Sequence, residues 1–502
     1  MAETGFSPDR QTARGGAWMI FMRWAMRGIG LVSTLILARL LDPGDFGVIA
    51  MAMIVVGFLE LLSNVGVDLA LLRLESPSRA DYDSGWTLQL IISAGLALVI
   101  FSAAVPASLI FDEAKLVPVV QALAFRSLFN GFNNIGTVEF RRHFDFAREF
   151  RYSLYKKMAG FVITITAAVI LRSYWALVIG MTVGVFAHVV ISYVMHPYRP
   201  RLCVGRIGQL WRFSLGMVGL QMVRFGNRRI DQFLVGNLAG TSDMGSYHIG
   251  YELATIPTNE LVMPMARGVF PSYARLQHSP EALFAAYCKT LSAIALLCTP
   301  IGFGLAAVAD PAVPLVIGEK WAQTVPIIEA LAVFGVFFAL ATTIEPVMQA
   351  TGRVRLFALT GLAQLAALGA VLYWAGHAFG IEAVAPTRVG FAALYLPVAF
   401  FLVKVATGLS LRYVLAAALS AIWPRFAAGA VMVAAVEGLH LSSLQAGWAL
   451  VIDILLGAAV YTGVTMAIWL LRGRPEGLET AALRWGSAQI ERGRPFFGRS
   501  GP

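Results

Sequence analysis

The chain has 502 residues, of which 58% are hydrophobic and only 14% charged. A soluble chain of this size would carry about 25% charged residues, so the composition excludes a soluble protein and indicates a polytopic membrane protein. The formal net charge of +10 would suggest nucleic acid in a soluble chain; here its distribution along the sequence carries the information.

The polar N-terminus, residues 1–16, is short. The apolar run from Ala17 to about Leu41 is too long for a signal-peptide core and lacks a small-residue cleavage site, so it reads as a retained first helix. Hydropathy predicts about fourteen spans: 17–41, 47–72, 86–111, 116–138, 157–171, 174–195, 213–237, 244–270, 286–309, 324–350, 354–378, 381–403, 412–436 and 446–471. Cys203, Cys288 and Cys298 suggest no disulfide framework. The tail, 472–502, is basic with apolar residues interspersed, and reads either as a surface-lying amphipathic helix or as a disordered segment.

An even number of spans puts both ends on one side, and the charges say which. The N-terminus, the loops after even-numbered helices and the tail hold about 27 Lys and Arg, with Arg141, Arg142, Arg148, Arg151, Lys156 and Lys157 expected in one loop. The opposite set holds Arg39, Lys115, Arg172 and Lys320. Both termini are therefore expected in the cytoplasm, and the basic loops face anionic lipid rather than nucleic acid.

The chain also repeats. Gly44-Asp45-Phe46-Gly47 follows helix one and Ser242-Asp243-Met244-Gly245 follows helix seven, an offset of 198 residues that also brings the arginines of the two helices within a few positions of each other. This implies an all-α membrane protein of two six-helix lobes, 17–195 and 213–403, in the same orientation and related by an axis along the membrane normal. Helices thirteen and fourteen, 412–471, stand outside the repeat.

Polar residues lie at membrane depth in helical register. Helix seven carries Arg224, Arg228, Arg229 and Asp231, with Arg224 about 17 Å in. Arg224, Arg228 and Asp231 are expected on one face, directed at a watery cavity or protein interior. Helix one carries Arg23 and Arg27. Helix two carries Glu60, Asn64 and Asp68 at steps of four, and helix four Arg126, Asn130, Asn133 and Thr137. Helix eight carries Glu252, Thr255, Asn259 and Glu260 with Pro257 and Pro264, and helix ten Glu345 and Gln349. Each stripe alone fits interhelical hydrogen bonding. Their concentration in six helices, with helices three, six, nine, eleven and thirteen nearly free of charge, predicts one central solvated cavity. Arginine stays charged when buried and grips phosphate with two parallel hydrogen bonds, so anionic cargo follows, phosphate being the commonest such anion. Glu60, Asp68 or Glu252 is expected to bind a coupling cation, and Asp231 to orient Arg228. No Walker motif, HExxH, GxSxG or metal-ligand spacing occurs, so catalysis, cofactors and metals are not expected.

Five stretches together bear a family resemblance: ARLLDPGDFGVIAM (Ala38–Met51), RRHFDFAREF (Arg141–Phe150), RIDQFLVGNLAGTSDMGSYHIGYELATIP (Arg229–Pro257), VFPSYARL (Val269–Leu276) and PLVIGEKW (Pro314–Trp321). In their order and spacing the chain resembles the oligosaccharide flippases of the polysaccharide-transporter family, over about residues 12–405. The resemblance implies twelve or fourteen helices in two lobes around a V-shaped cavity. It implies a protein of the bacterial inner membrane that moves isoprenoid-pyrophosphate-linked sugar units to the outer leaflet by alternating access, in extracellular polysaccharide or lipopolysaccharide synthesis. A polysaccharide polymerase and glycosyltransferases would be its working partners. By position Arg27 and Arg224 fall where relatives place lumen arginines; Arg126 and Arg228 join them as expected substrate contacts, while Asp68 and Glu345 have no counterpart.

Three rival readings stand beside this one. A cation-coupled multidrug exporter of the same fold expects an acid-dominated cavity, which the arginines oppose. A membrane glycosyltransferase or polymerase expects a long outer loop or a nucleotide-sugar domain, absent from the predicted layout. A scaffold for envelope synthesis leaves the buried charge unexplained.

Overall fold

The structure, a computed structural model, describes residues 8–62, 67–205, 218–256, 262–439 and 446–473. Among them there are helices, short 3-10 turns and no strand. Ten helices are long and apolar enough to cross a membrane. Where the expected spans fall on described residues they overlap helices, and the chain is an all-α polytopic membrane protein.

The helices in chain order are α1 (Pro8–Leu40), α2 (Pro43–Leu62), α3 (Val67–Arg73), α4 (Arg79–Phe111), α5 (Leu116–Gly131), α6 (Val138–Arg142), α7 (Phe146–Leu171), α8 (Trp175–Met195) and α9 (Val218–Ala254). They continue as α10 (Met263–Leu276), α11 (Pro280–Ala307), α12 (Ala309–Val316), α13 (Val325–Thr342), α14 (Ile344–Ala350), α15 (Val354–Phe379), α16 (Val384–Thr407), α17 (Leu411–Leu439) and α18 (Ala446–Leu471). Two compact units emerge from their packing. One comprises Met1–Ile249, Val316–Trp321 and Gln364–Ile381; the other comprises Gly250–Leu315, Ala322–Ala363 and Glu382–Pro502.

Local chemistry explains the main element boundaries in the first unit. Asp81 closes the start of α4 by accepting from the Ser78 amide at 2.8 Å and the Ser78 hydroxyl at 2.6 Å, a reciprocal cap that satisfies orphan donors. The Asp145 carboxylate accepts from the Arg148 amide at 3.0 Å and starts α7 eleven residues before the expected 157. The basic loop expected at Arg141–Lys157 is therefore mostly helix, and Arg148, Arg151, Lys156 and Lys157 ride on its first turns. The hydropathy signal begins only where the side chains become apolar, whereas backbone hydrogen bonding and the cap extend further back. Expected helix two is described as α2 and α3, with residues 63–66, Asn64 among them, outside the described residues.

A second departure concerns expected helices seven and eight. Here α9 runs through Gly240, whose φ of 81° and ψ of −171° suit only glycine. The Tyr247 hydroxyl donates to Asp231 at 2.9 Å, although in a straight helix the two residues would stand about 24 Å apart along the axis. The chain therefore folds back at Gly240. In expected helix eight, Pro264 opens α10 and Pro271 lies inside it rather than beyond the span. Pro257, Asn259 and Glu260 fall outside the described residues.

The repeat appears as a reciprocal contact. A side chain on Gly47 would begin 1.7 Å from the Thr241 carbonyl oxygen, and one on Gly245 would begin 1.8 Å from the Pro43 carbonyl oxygen. The offset of 198 residues carries Gly47 onto Gly245 and Pro43 onto Thr241. Each turn thus inserts its glycine against the same backbone position of the other, as two-fold related surfaces do. Val316–Trp321 locks onto this junction. The buried Trp321 indole donates to Ala38 O at 2.8 Å and its ring meets Phe46 edge-on at 5.4 Å. Arg39 donates to Val316 O at 3.0 Å, and Lys320 pairs with Asp42 at 3.2 Å.

Beyond α8, the segment 196–205 is strapped across α4. The buried Asn134 side-chain amide donates to the carbonyls of His196 and Tyr198 at 3.1 and 2.9 Å. Asp83 accepts from the Tyr198 hydroxyl at 2.6 Å and the Arg201 amide at 2.9 Å. Burial and this carboxylate both push the Tyr198 phenol up from its ordinary value.

The second unit is a conventional apolar core. Tyr287, Leu291 and Ile294 of α11, Val336 and Leu340 of α13, Phe400 and Val403 of α16 and Val414 of α17 pack into one cluster. Arg388 is buried there, its guanidinium 4.7 Å from the centre of the Phe334 ring, a cation–π contact.

Candidate functional site

A polar space lies inside the first unit, among α2, α4, α5 and α8. It is about 420 Å³ and is lined by Glu60, Ser93, Arg126, Ser127, Asn130 and His188, among others. These residues recur on their helices at intervals that put them on one face: Arg126 and Asn130 are one turn apart on α5, while Val185 and His188 are neighbours on α8. The surrounding helices are otherwise apolar, α2 and α8 being long and apolar enough to cross a membrane.

Glu60 and Arg126 meet across the cavity at 3.1 Å, their side chains 32% and 25% exposed. A cation expected at the substrate and an acid expected at a coupling ion thus form one pair. The interaction is shielded enough to be strong and open enough for water or a competing ion to reach it. Asn133 donates to the Asn130 carboxamide oxygen at 2.7 Å. The His188 ring nitrogen Nε2 lies 3.0 Å from the Lys156 carbonyl oxygen. Since a carbonyl only accepts, Nε2 carries the proton and Nδ1 is left as an acceptor. Among the described residues the buried Ser127 hydroxyl has no hydrogen-bond partner, the condition of a group that water or a ligand can satisfy.

The remaining expected residues are spread around this centre. Arg27 is half-buried on α1. Asp68 pairs with Arg141 at 3.2 Å, and Arg141 also holds Glu149 at 3.2 Å, so Asp68 sits in a surface charge network rather than on a stripe with Glu60. On α9, Arg224 is half-buried, Arg228 is exposed and Asp231 is fully buried. The common face expected for these three is divided. Asp231 accepts from Tyr247, and among the described residues no ion pair joins it to Arg228. The physical reason is the fold-back at Gly240, which delivers Tyr247 to the carboxylate. Arg229 donates to Gln232 at 2.6 Å. Glu252 is half-buried on the last turn of α9, in the second unit, and Glu345 accepts from Gln349 at 2.9 Å. Side chains of Arg23 and Arg267 lie outside the described residues.

The sequence reading missed His188, Ser127, Lys156, Lys157 and the buried Arg388 and Arg425. A lone histidine or serine in an apolar helix gives no periodic signal. The lysines were assigned to a loop. The two arginines of the second unit were detectable as single charges inside apolar runs.

Comparison with known proteins covers most of the chain. It is 26% identical over 379 residues to the succinoglycan biosynthesis transport protein ExoT of Rhizobium meliloti (strain 1021), covering 75% of this chain and 76% of that one. It is 22% identical over 366 residues to the lipopolysaccharide biosynthesis protein WzxC of Escherichia coli (strain K12), covering 68% and 71%. Among solved structures it matches the lipid II flippase MurJ in an inward closed conformation with a TM-score of 0.72 at 11% identity, covering 89% of this chain and 98% of that one. It matches an inward-facing multidrug resistance MATE family transporter of the MOP superfamily with a TM-score of 0.61 at 13% identity, covering 76% and 95%. These two likenesses establish the fold. The profile of the family described as "Polysaccharide biosynthesis protein" matches residues 36–326, more than half of the sequence, and the chain belongs to that family.

Proposed function

We propose that this chain is a flippase that carries isoprenoid-pyrophosphate-linked oligosaccharide units from the cytoplasmic to the outer leaflet by alternating access, for extracellular polysaccharide or lipopolysaccharide synthesis. The observation that carries the reading is the Glu60–Arg126 cavity: charge is costly at membrane depth and is retained there for function. The family and the names of the relatives, a transport protein and a lipopolysaccharide biosynthesis protein, support it. In this reading Arg27, Arg126, Arg224 and Arg228 contact the diphosphate. Glu60, Asp68 and Glu252 are the acids that answer to the coupling ion. Protonation or cation binding at Glu60 would free Arg126 for the anion, so the two ligands compete through one pair. Asp231 positions the fold-back rather than Arg228. Residues 17–195 and 213–403 are the moving lobes, and 412–471 the added helices. The chain works without catalysis or cofactor in the bacterial inner membrane, both termini cytoplasmic, beside a polymerase and glycosyltransferases. A multidrug exporter of this fold would need an acid-dominated cavity; here the one carboxylate lining it is matched by an arginine.

The test is reconstitution of the purified chain in liposomes carrying a fluorescent undecaprenyl-diphosphate-linked sugar on the inner leaflet, read by its appearance outside. Translocation should be fast with the wild type and at least tenfold slower with Arg126→Ala. Equal rates in empty and protein-bearing liposomes would end the proposal.

A further inference from the structure

The first unit also carries an open groove of about 460 Å³ among α4, α5 and α8, lined almost wholly by apolar side chains. Helical spacing builds it. Pro118, Gln121, Phe125 and Phe129 recur at steps of three or four on α5, as Trp175, Val178 and Thr182 do on α8. Small residues stand where the two helices meet, the Thr182 hydroxyl donating to Ala122 O at 3.4 Å. Phe101, Phe125 and Val183 are exposed. In a chain that spans a membrane such a face meets lipid tails.

The length of the groove selects a tail. From Pro118 to Phe129 it runs eleven residues along α5, about 16 Å, and half of a hydrocarbon core is about 15 Å. Pro118 lies in the first turn of α5 and Trp175 opens α8, so the groove starts at the helix ends that the charge distribution assigns to the outer face. It spans one leaflet, the reach of one acyl chain.

Polar groups at two levels select the rest of the molecule. Lys115 and Arg172, both exposed, each stand three residues before a groove residue, Pro118 and Trp175. The Glu113 carboxylate shares this rim, accepting from the Lys115 amide at 3.1 Å, with the exposed Asp112 beside it. Two cations and two carboxylates complement a headgroup that carries phosphate and ammonium together better than they complement an anion. Gln121 lies deeper in the groove, about 9 Å along the axis from Lys115. Among the described residues its carboxamide has no hydrogen-bond partner, and a polar group in hydrocarbon needs one. The ester carbonyls of a glycerolipid lie beneath its phosphate and can accept from this amide.

We propose that the groove of α4, α5 and α8 binds one zwitterionic aminophospholipid of the outer leaflet, with its acyl chain along the groove, its ester group at Gln121 and its headgroup at Lys115, Arg172 and Glu113. An isoprenoid diphosphate offers neither ester nor ammonium, so the occupant is not the cargo proposed above, and the site stands or falls independently of the flippase reading.

The full-length protein in mild detergent is given equal amounts of phosphatidylethanolamine, phosphatidylglycerol and phosphatidylcholine with the same acyl chains, and retained lipid is counted by native mass spectrometry. The wild type should keep one phosphatidylethanolamine, with about fivefold preference over the other two. Val183→Trp, which fills the groove from an exposed position, should lower retention about fivefold with the melting temperature unchanged. Val194→Trp, at an exposed position of α8 outside the groove, should leave retention as in the wild type. Glu113→Gln should erase the preference over phosphatidylcholine, whose ammonium has no hydrogen to donate. Gln121→Leu should lower retention of the ester lipid about threefold and leave that of the diether form unchanged. Equal retention of the three headgroups by the wild type overturns the proposal, as does retention unaltered in both Val183→Trp and Gln121→Leu. Displacement of the phospholipid by undecaprenyl diphosphate overturns it as well, because the groove would then hold an isoprenoid chain.

Discussion

Two regions of the first unit show opposite ways of using polar groups. At the junction of the twin turns, backbone meets backbone. Gly47 and Gly245 are pressed against carbonyls, Trp321 hydrogen-bonds to Ala38, and the turn tolerates no side chain. In the cavity, by contrast, side chains meet with space to spare. Glu60 and Arg126 pair across about 420 Å³ that also holds a buried serine hydroxyl, with no partner among the described residues, and a histidine acceptor. The junction is a fit that any added atom spoils. The cavity is a set of charges that an entering ligand can rearrange. Close packing and conformational specificity belong to the first, exchangeable electrostatics to the second.

The sharpest way to break this contrast is at the junction. Gly245→Val puts a branched side chain where even one carbon would lie 1.8 Å from Pro43 O, so the backbone must move. A destabilisation of about 3 kcal/mol is expected, visible as a fall in melting temperature and in monodisperse yield. The effect of Gly47→Val should match it, because the contact is reciprocal. A strong loss in one and none in the other would refute the two-fold reading.

The cavity should respond more mildly in stability and more strongly in activity. Arg126→Ala leaves Glu60 without its guanidinium. With both side chains a quarter to a third exposed, the stability cost is about 1–2 kcal/mol, below that of a fully buried pair. Glu60→Gln with Arg126→Gln should restore the melting temperature without restoring translocation. Recovery of both would make the pair structural, like the junction.

The smallest effect concerns the strap over α4. The Tyr198 phenol is held protonated, above its ordinary value of 10.0, by burial and by donation to Asp83. Its contribution is therefore complete below pH 10 and falls only as pH rises past that value. Tyr198→Phe should lower stability by about 1 kcal/mol at neutral pH. The difference from wild type should shrink above pH 10 in a melting series; a difference constant through pH 11 would show that ionisation of this phenol is not coupled to folding.

Much of this architecture follows from the sequence alone. A composition of 58% hydrophobic residues requires helices that satisfy their own backbones in lipid, and hydropathy reads them because each span buries a uniform apolar length. The repeat was visible as Gly44–Gly47 and Ser242–Gly245, since both turns need glycine for the same close approach. Arg126 and Glu60 could be singled out because charge is rare at that depth. Only the tertiary structure decided which charges meet. Glu60 of α2 meets Arg126 of α5, and Asp231 finds Tyr247 rather than Arg228, because pairing depends on which helices lie side by side and where a glycine turns the chain. Lys157 comes to lie against Gly30 of α1 for the same reason: hydropathy stops at the last apolar side chain, whereas the helix carrying the lysine continues as far as its backbone hydrogen bonds and the Asp145 cap allow.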